Sequence, residues 1–473
     1  MLRLSSLVLL ASVAAAAAAQ PTYSLTLVHE SPYGARANVV NDAGLVGGSV
    51  SVDDRSGIDP SEAFLWQDGA VVWQGSLGVS AAGVGALTEA GDATGNAVAP
   101  EAPYSGEFAA FFRPAGGAIV AAPAPPISGY RQVSYHGGIS ESGLAPIRYR
   151  VRTAATGGTS SPPYHVGVWD TAAGTVTPLP HLSPDSLYAR AVGIAADGTI
   201  GGAAVPPGGD IIHAVRWVPD GAGGYTIEDL GTLDGGTYSE VNAINAAGVM
   251  FGEATSATNG NAQPARWEPD GTGRILPMPP GATGCGAYDL SDTGIGVGWC
   301  GIDREPRATA WIGDQPHVLQ DHLDASADGW TLTRAYGVNS QGWIVGVGER
   351  EGFVDSEGNP EQFAFLVRPA GSIASEPDAA EARPLALAVA PSPTRGPAAA
   401  SFRLGTPAHV TAEVFDVRGR RVRTLLGGPL AAGPHRAVWD GRDASGRAAS
   451  PGVYAVRVRA GRTVAAARLV VVR

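Results

Sequence analysis

The sequence predicts an all-β chain: a seven-bladed β-propeller whose N-terminal strand closes the last blade, followed by a small β-sandwich. Three observations carry this expectation. A glycine-anchored unit recurs seven times along the chain. Each copy holds about four short β-type runs separated by turn residues, which is the grammar of a propeller blade. Beyond residue 385 the repeat stops and the charge balance changes sign.

Composition supports an ordered chain. Among 473 residues, 44% are hydrophobic, so a core can be built. Only 16% are charged, against roughly 25% in an average soluble domain. All 32 basic residues are Arg, and the net charge is −12. That balance argues against a nucleic-acid partner, which needs clustered positive charge. Residues 20–384 carry 17 Arg against 40 acids, and residues 385–473 carry 14 Arg against 4 acids. Two parts of opposite charge share one chain.

Residues 1–19 read as a secretory signal peptide. Arg3 supplies the charged start, residues 7–13 the apolar stretch, and Ala17, Ala18 and Ala19 a small-residue site before Gln20. The apolar run is short for a membrane span, which needs about 20 apolar residues. No later segment is long and apolar enough either, so no transmembrane segment is expected in the mature chain. Residues 22–30, "TYSLTLVHE", form an orphan strand ahead of the first repeat. In a closed ring it can supply the missing fourth strand of the last blade and cover an exposed edge.

The repeat is clearest over residues 243–271. Its anchor glycine recurs at Gly44, Gly91, Gly143, Gly198, Gly248, Gly294 and Gly342, 46 to 55 residues apart. A second glycine follows four residues later in every copy except the third, which has Ile147. Three residues before the anchor stand Asn41, Thr88, Ser140, Ala195, Asn245, Ser291 and Asn339. Small polar side chains suit that place because they hydrogen-bond the backbone of a tight turn. An aromatic follows at Trp66, Phe112, Trp169, Trp217, Trp267 and Trp311, with Val367 in the seventh copy. These rings are expected to fill the gaps between sheets; a row of ligand-binding aromatics is the alternative.

Cys285 and Cys300 are the two cysteines and flank a predicted hairpin turn at Asp292 and Thr293. Opposite hairpin positions lie about 4.5–5.5 Å apart at Cα, within reach of a disulfide. Such a bond persists in an oxidising compartment. Residues 370–384 read as a polar linker, and residues 385–473 show alternating runs such as "VTAEVFDV" and "VYAVRVRA" between turn signals. About seven short strands in that length fit a small β-sandwich.

The pattern A-x-x-I-N-x-x-G-x-x-x-G…A-x-x-W, matched best at 243–267 and 334–346, resembles the HAF-type extracellular repeat family. The likeness covers residues 22–369 and implies an exported repeat protein with no catalytic residues to carry over. The tail resembles the type A C-terminal sorting domain of type IX secretion cargo, an immunoglobulin-like fold of the FlgD kind. "VFDVRGRRVRTL" (with Asp416 and Gly419), "HRAVWDGRDASGR" (Trp439, Asp440, Gly441 and Gly446) and "SPGVYAVRV" (Gly452 and Tyr454) carry that likeness. It implies the type IX secretion machinery as a partner, passage through the outer membrane, and a place in the medium or at the cell surface. From the residues alone, Trp439 plugs the sandwich core, and Asp440 with Gly441 makes a turn.

Catalytic signatures are missing. The sequence has no H-E-x-x-H, no G-x-S-x-G, no Walker A segment and no sialidase Asp box. Acidic loops at 51–59 and 354–361 offer the oxygen ligands that Ca²⁺ takes, without EF-hand spacing; solvated loops are the plainer reading, and no cofactor or metal is expected. Two functions remain. One is a non-enzymatic propeller that binds a protein or glycan through loops such as 51–62, 96–107, 150–164 and 253–264. The other is a hydrolase or lyase acting on extracellular polysaccharide with acids from several blades.

Overall fold

The computed structural model describes residues 22–472, apart from 30, 32, 53–60, 78–81, 99–107, 124–129, 136–137, 152–163, 184–187, 210, 355–357, 371–386, 391–393, 395–396, 405–407, 417–420, 431–432, 444–446 and 461–462. The expected signal peptide and linker lie outside the described residues. The chain divides into two compact units, Met1–Ser372 and Ile373–Arg473. Among the described residues, every regular element apart from two short 3₁₀ turns is a strand. No helix among the described residues is long and apolar enough to cross a membrane.

The first unit is a β-propeller of seven four-stranded antiparallel sheets. Six are built from four consecutive strands. The seventh takes its fourth strand, Thr22–His29, from the N-terminus, paired antiparallel with Pro360–Ala370. In each sheet the first strand lies innermost: Ala35–Val40, Ala82–Leu87, Tyr130–Tyr135, Ala189–Ile194, Gly235–Ile244, Ala282–Leu290 and Trp330–Val338. The first sheet touches both the second and the seventh, so the ring is closed.

Every anchor glycine sits in the turn after an inner strand. All seven have φ between 74° and 89°, a backbone region that L side chains adopt only with strain. In each turn the anchor N–H donates to the carbonyl three residues earlier, as Gly44 does to Asn41 at 3.0 Å. In six copies the side chain at that earlier position also accepts the N–H four residues on, as in Asn41 with Leu45 (2.9 Å) and Asn339 with Trp343 (2.9 Å). Where the residue is Asn, its amide reaches the next sheet. Asn41 donates to Thr88 O (2.9 Å), Asn245 to Ser291 O (3.2 Å) and Asn339 to Asn41 O (3.1 Å). The last of these spans the two ends of the ring.

Seven apolar clusters fill the gaps between neighbouring sheets. The repeat tryptophans belong to them, each facing the preceding sheet. Trp217 packs on Val166 and Val168, Trp267 on Val192 and Ala214, and Trp311 on Phe251. Trp66 meets Val345 and Leu366, and Trp169 meets Ala86 and Ala110. None is more than 3% exposed, so these rings are core and not a ligand surface. The second copy departs from the expectation. Trp66 pairs with Val46 two residues before the second glycine, and the same register in the second sheet places Arg113, not Phe112, opposite Ala93. A one-residue offset turns a strand side chain to the other face. Arg113 therefore faces back, with its guanidinium 4.8 Å from the Trp73 ring. Phe112 faces forward and meets Trp169 edge-on at 6.2 Å.

The second unit holds seven strands in two sheets. Leu387–Ala390, Ala398–Leu404 and Gly433–Trp439 form one; Arg421–Leu430, Ala408–Asp416, Gly452–Ala460 and Thr463–Val471 form the other. Both contribute to one core containing Phe402, Val410, Val414, Trp439, Tyr454 and Val458, the arrangement of an immunoglobulin-like sandwich. The fold class read from the sequence is the one observed.

The closing Asn339 gives a direct test. It is 4% exposed and makes three backbone hydrogen bonds, to Asn41 O, Gln341 N and Trp343 N. Asn339→Ala is expected to cost about 2 kcal/mol, because buried partners lose their bonds. Thr88→Ala, which removes one such bond, should cost about 1 kcal/mol. Urea unfolding midpoints of the two variants check the order.

Candidate binding site on the inner strands

The inner strands share an irregularity that sets what surrounds the axis. Antiparallel pairing with the second strand skips the residue six before the anchor glycine in six of the sheets: Asn38, Gly85, Val192, Asn242, Tyr288 and Tyr336. Each is a β-bulge, which leaves a residue outside the ladder and bends the strand. The bulge also explains the second glycine. A Cβ on Gly48, Gly95, Gly202, Gly252, Gly298 or Gly346 would overlap the carbonyl oxygen of the inner-strand residue two before the bulge. The bulged Asn38 and Asn242 donate across to the next sheet, to Val84 O (2.8 Å) and Ala287 O (2.9 Å).

Two positions per inner strand recur around the axis: the bulge residue itself, except Val192, which is buried in the gap against Trp267, and the residue two before the bulge. The latter are Arg36, Gly83, Arg190, Glu240, Gly286 and Arg334 in the same six sheets. The second sheet contributes Gly83 and Gly85, and the side chains of Ser49 and Asn38 from the first sheet lie beside Gly83.

On the fourth to sixth sheets the charges are matched. Arg190 pairs with Glu240 at 3.1 Å and donates to Asn242 Oδ1. Glu253 stands opposite Glu240 in the strand register and accepts the Ala287 N–H at 3.0 Å. Burial, with a smaller push from Glu240, raises its carboxyl to about 7. Burial and Glu240 also push the Tyr238 hydroxyl up. These contacts join three neighbouring sheets.

The sixth, seventh and first sheets present a different surface. Tyr288 and Tyr336 stack with ring centres 5.1 Å apart. The Arg36 guanidinium lies 5.0 Å from the Tyr336 ring centre, and Arg334 lies 5.4 Å from that of Trp299. Arg36 is exposed, and Arg334, Tyr288, Tyr336 and Trp299 are half-buried. Rings and guanidiniums thus sit together at the solvent boundary, flat apolar faces beside hydrogen-bond donors.

The residues singled out from the sequence fall elsewhere. Cys285 and Cys300 are directly opposed and joined by a disulfide within the sixth sheet. Of the long loops, 53–60, 99–107 and 152–163 lie outside the described residues, as does 355–357 of the second acidic loop. The expected loop 253–264 is mostly strand: Met250–Ser256 and Asn259–Trp267 meet in a tight hairpin. No group of three or more metal-ligating side chains occurs among the described residues. In the second unit, Trp439 Nε1 donates to Arg442 O (2.7 Å) and its ring lies 5.2 Å from Tyr454. Tyr454 donates its hydroxyl to Ser450 O at 2.7 Å. Asp440 accepts the Arg442 N–H at 3.0 Å beside Gly441, whose φ is 77°. Asp416 and Gly452 end and begin strands, and Gly419 and Gly446 lie outside the described residues.

Sequence reading missed the axial residues, although a signal existed. Every bulge residue stands six before its anchor glycine, as Asn38 does to Gly44 and Tyr336 to Gly342. The spacing is regular while the residue type is not, so no motif announced it.

Residues 390–463 match the family model described as FlgD Ig-like domain. No curated protein matches the chain. Among solved structures, similarity is found to PorZ of Porphyromonas gingivalis, described as an essential bacterial surface component of the type IX secretion system. It is 12% identical with a TM-score of 0.36, over 92% of this chain and 60% of that one. A fungal alcohol oxidase of the AA5 family in complex with copper is 12% identical, with a TM-score of 0.41 over 95% of this chain and 98% of that one. TolB of Acinetobacter baumannii is 13% identical, with a TM-score of 0.37 over 61% and 63%. The chain spans less than two thirds of PorZ and of TolB.

Glu253 makes the inter-sheet joint pH-dependent. An acid whose proton is held more tightly when folded stabilises fully below its unfolded value, and this contribution is lost as pH rises through the folded one. For Glu253 the window runs from 4.5 to about 7, and the loss across it is about 3 kcal/mol. Glu253→Gln keeps an acceptor for Ala287 but does not titrate. It should match the parent near about pH 4 and exceed it in stability above about pH 7. Thermal midpoints measured across that range check this; a parent profile no steeper than that of the variant would contradict it.

Proposed function

We propose that this protein is an exported, non-enzymatic β-propeller that binds a protein or glycan ligand on its inner strands, with its C-terminal domain serving as a type IX sorting signal. The observation that carries the binding role is the half-exposed stack of Tyr288, Tyr336 and Arg36, continued by Trp299 and Arg334. A core needs no guanidinium at the solvent boundary, and the sheets are already joined by buried clusters elsewhere.

The export reading has separate supports. The Ig-like sandwich carries the FlgD-type match over 390–463, and its diagnostic "WDG" and "PGVY" segments build the core corner at Trp439 and Tyr454. A disulfide within the propeller suits an oxidising compartment. The N-terminal stretch has the order of a signal peptide. On this reading residues 20–369 are the HAF-like cargo, 370–384 the linker and 385–473 the sorting domain, delivered to the cell surface or beyond by the type IX machinery.

A polysaccharide hydrolase or lyase is the second reading, favoured by one observation, the opposed Glu240 and Glu253. Their contacts speak for the first. Glu240 is spent on Arg190 and Glu253 on the Ala287 backbone, so the pair acts as a joint between sheets.

Two measurements test the proposal. In a bacterium with type IX secretion, the full chain should reach the outer surface, and a chain ending at residue 384 should remain in the periplasm. Equal export of both would refute the sorting role. On protein and glycan arrays, the full chain should bind without turnover, and Tyr288→Ala with Tyr336→Ala should abolish the signal while leaving the unfolding midpoint of the sandwich unchanged.

A further inference from the structure

Arg36 and Arg334 occupy equivalent positions on the inner strands of the first and seventh sheets. Each is laid over an aromatic ring of the preceding sheet: Arg36 over Tyr336 and Arg334 over Trp299. Stacking holds a guanidinium flat and leaves its N–H fork free at the edge. Among the described residues neither the Arg36 nor the Arg334 side chain donates a hydrogen bond or forms an ion pair. Glu349 lies within electrostatic reach of Arg334 without pairing to it. The third cation at this level, Arg190, is neutralised by Glu240 and also donates to Asn242. Arg36 and Arg334 are therefore held over rings without an ion pair among the described residues, with Glu349 near Arg334, inside a segment with 17 Arg against 40 acids.

We infer that the inner-strand site takes an acidic saccharide bearing carboxylates, with Arg36 and Arg334 as the receptors for the anions. This rests on the binding reading above and narrows its ligand. A planar carboxylate matches a guanidinium fork in a bidentate pair, which a point-like cation would not select. Tyr288, Tyr336 and Trp299 offer flat faces for the apolar faces of sugar rings beside those forks. The second sheet contributes glycines, Gly83 and Gly85, at the two equivalent positions, with Ser49 and Asn38 of the first sheet beside Gly83. An acidic protein surface with a local cationic site also discriminates. Within residues 20–384 the excess of acids disfavours a polyanion away from such cationic positions.

The test is calorimetric titration of the full chain with an oligogalacturonate, with its methyl-esterified form and with a neutral cello-oligosaccharide. The acid form should bind, and the ester and the neutral sugar should bind about tenfold more weakly or less. Affinity for the acid form should fall as salt rises. Arg36→Gln and Arg334→Gln should each weaken it about tenfold, and Arg334→Lys should recover only part of the loss. Equal binding of acid and ester, unchanged affinity in both Gln variants, or no binding of the acid form would each overturn the inference. The ester comparison needs no variant, so a folding defect cannot obscure it. If a neutral sugar binds and Tyr288→Ala with Tyr336→Ala abolishes that binding, the carboxylate inference fails while the axial binding site stands. If arrays show no ligand lost in the tyrosine variant, the binding reading itself fails.

Discussion

The bulge on the inner strands is the constraint on which the rest of the propeller depends. One extra residue per strand brings a carbonyl so close to the neighbouring strand that only glycine fits opposite it. The second repeat glycine is the trace of that approach. The same distortion presents Ala287 O and Val84 O to Asn242 and Asn38 of the preceding sheet. It also sets Tyr288 and Tyr336 apart from the ladder, where they can stack. Backbone geometry, inter-sheet bonding and the candidate site thus have one origin.

Closure adds the second layer of order. A ring of sheets has no free lateral face, provided its ends meet. Here they meet twice. The strand Thr22–His29 supplies the outer edge of the seventh sheet, and the turn of that sheet bonds the turn of the first through Asn339 and Ser340. The apolar clusters follow from this arrangement. A gap takes a large side chain from one sheet and either small ones from the sheet before, as Trp267 takes Ala214 and Val192, or a second ring, as Trp311 takes Phe251. Where Arg113 holds the tryptophan position, the same gap is filled by its stack on Trp73 and by Leu65, Val84 and Phe111.

Charge is distributed with similar economy. Around the axis, acids and arginines of the fourth and fifth sheets neutralise each other, and Glu253 retains its proton into the neutral range because it is buried. On the opposite arc the guanidiniums lie on rings instead of carboxylates. Identical backbone positions therefore serve as structural joints in one half of the ring and as open donors in the other.

By itself the sequence determined the all-β class, the turn-and-strand grammar of the units, the N-terminal strand that pairs with Pro360–Ala370, the opposed cysteines and the sandwich at the C-terminus. These are legible because turns and alternation are local: an anchor glycine needs positive φ whatever surrounds it, and a strand face repeats every second residue. Tertiary structure decided the rest. The offset that places Arg113 where Phe112 was expected depends on pairing register, which one strand cannot specify alone. The axial site depends on residues as far apart as Arg36 and Tyr336 meeting across a closed ring. Their spacings from the anchor glycines are written in the chain, but only closure brings those positions to one axis.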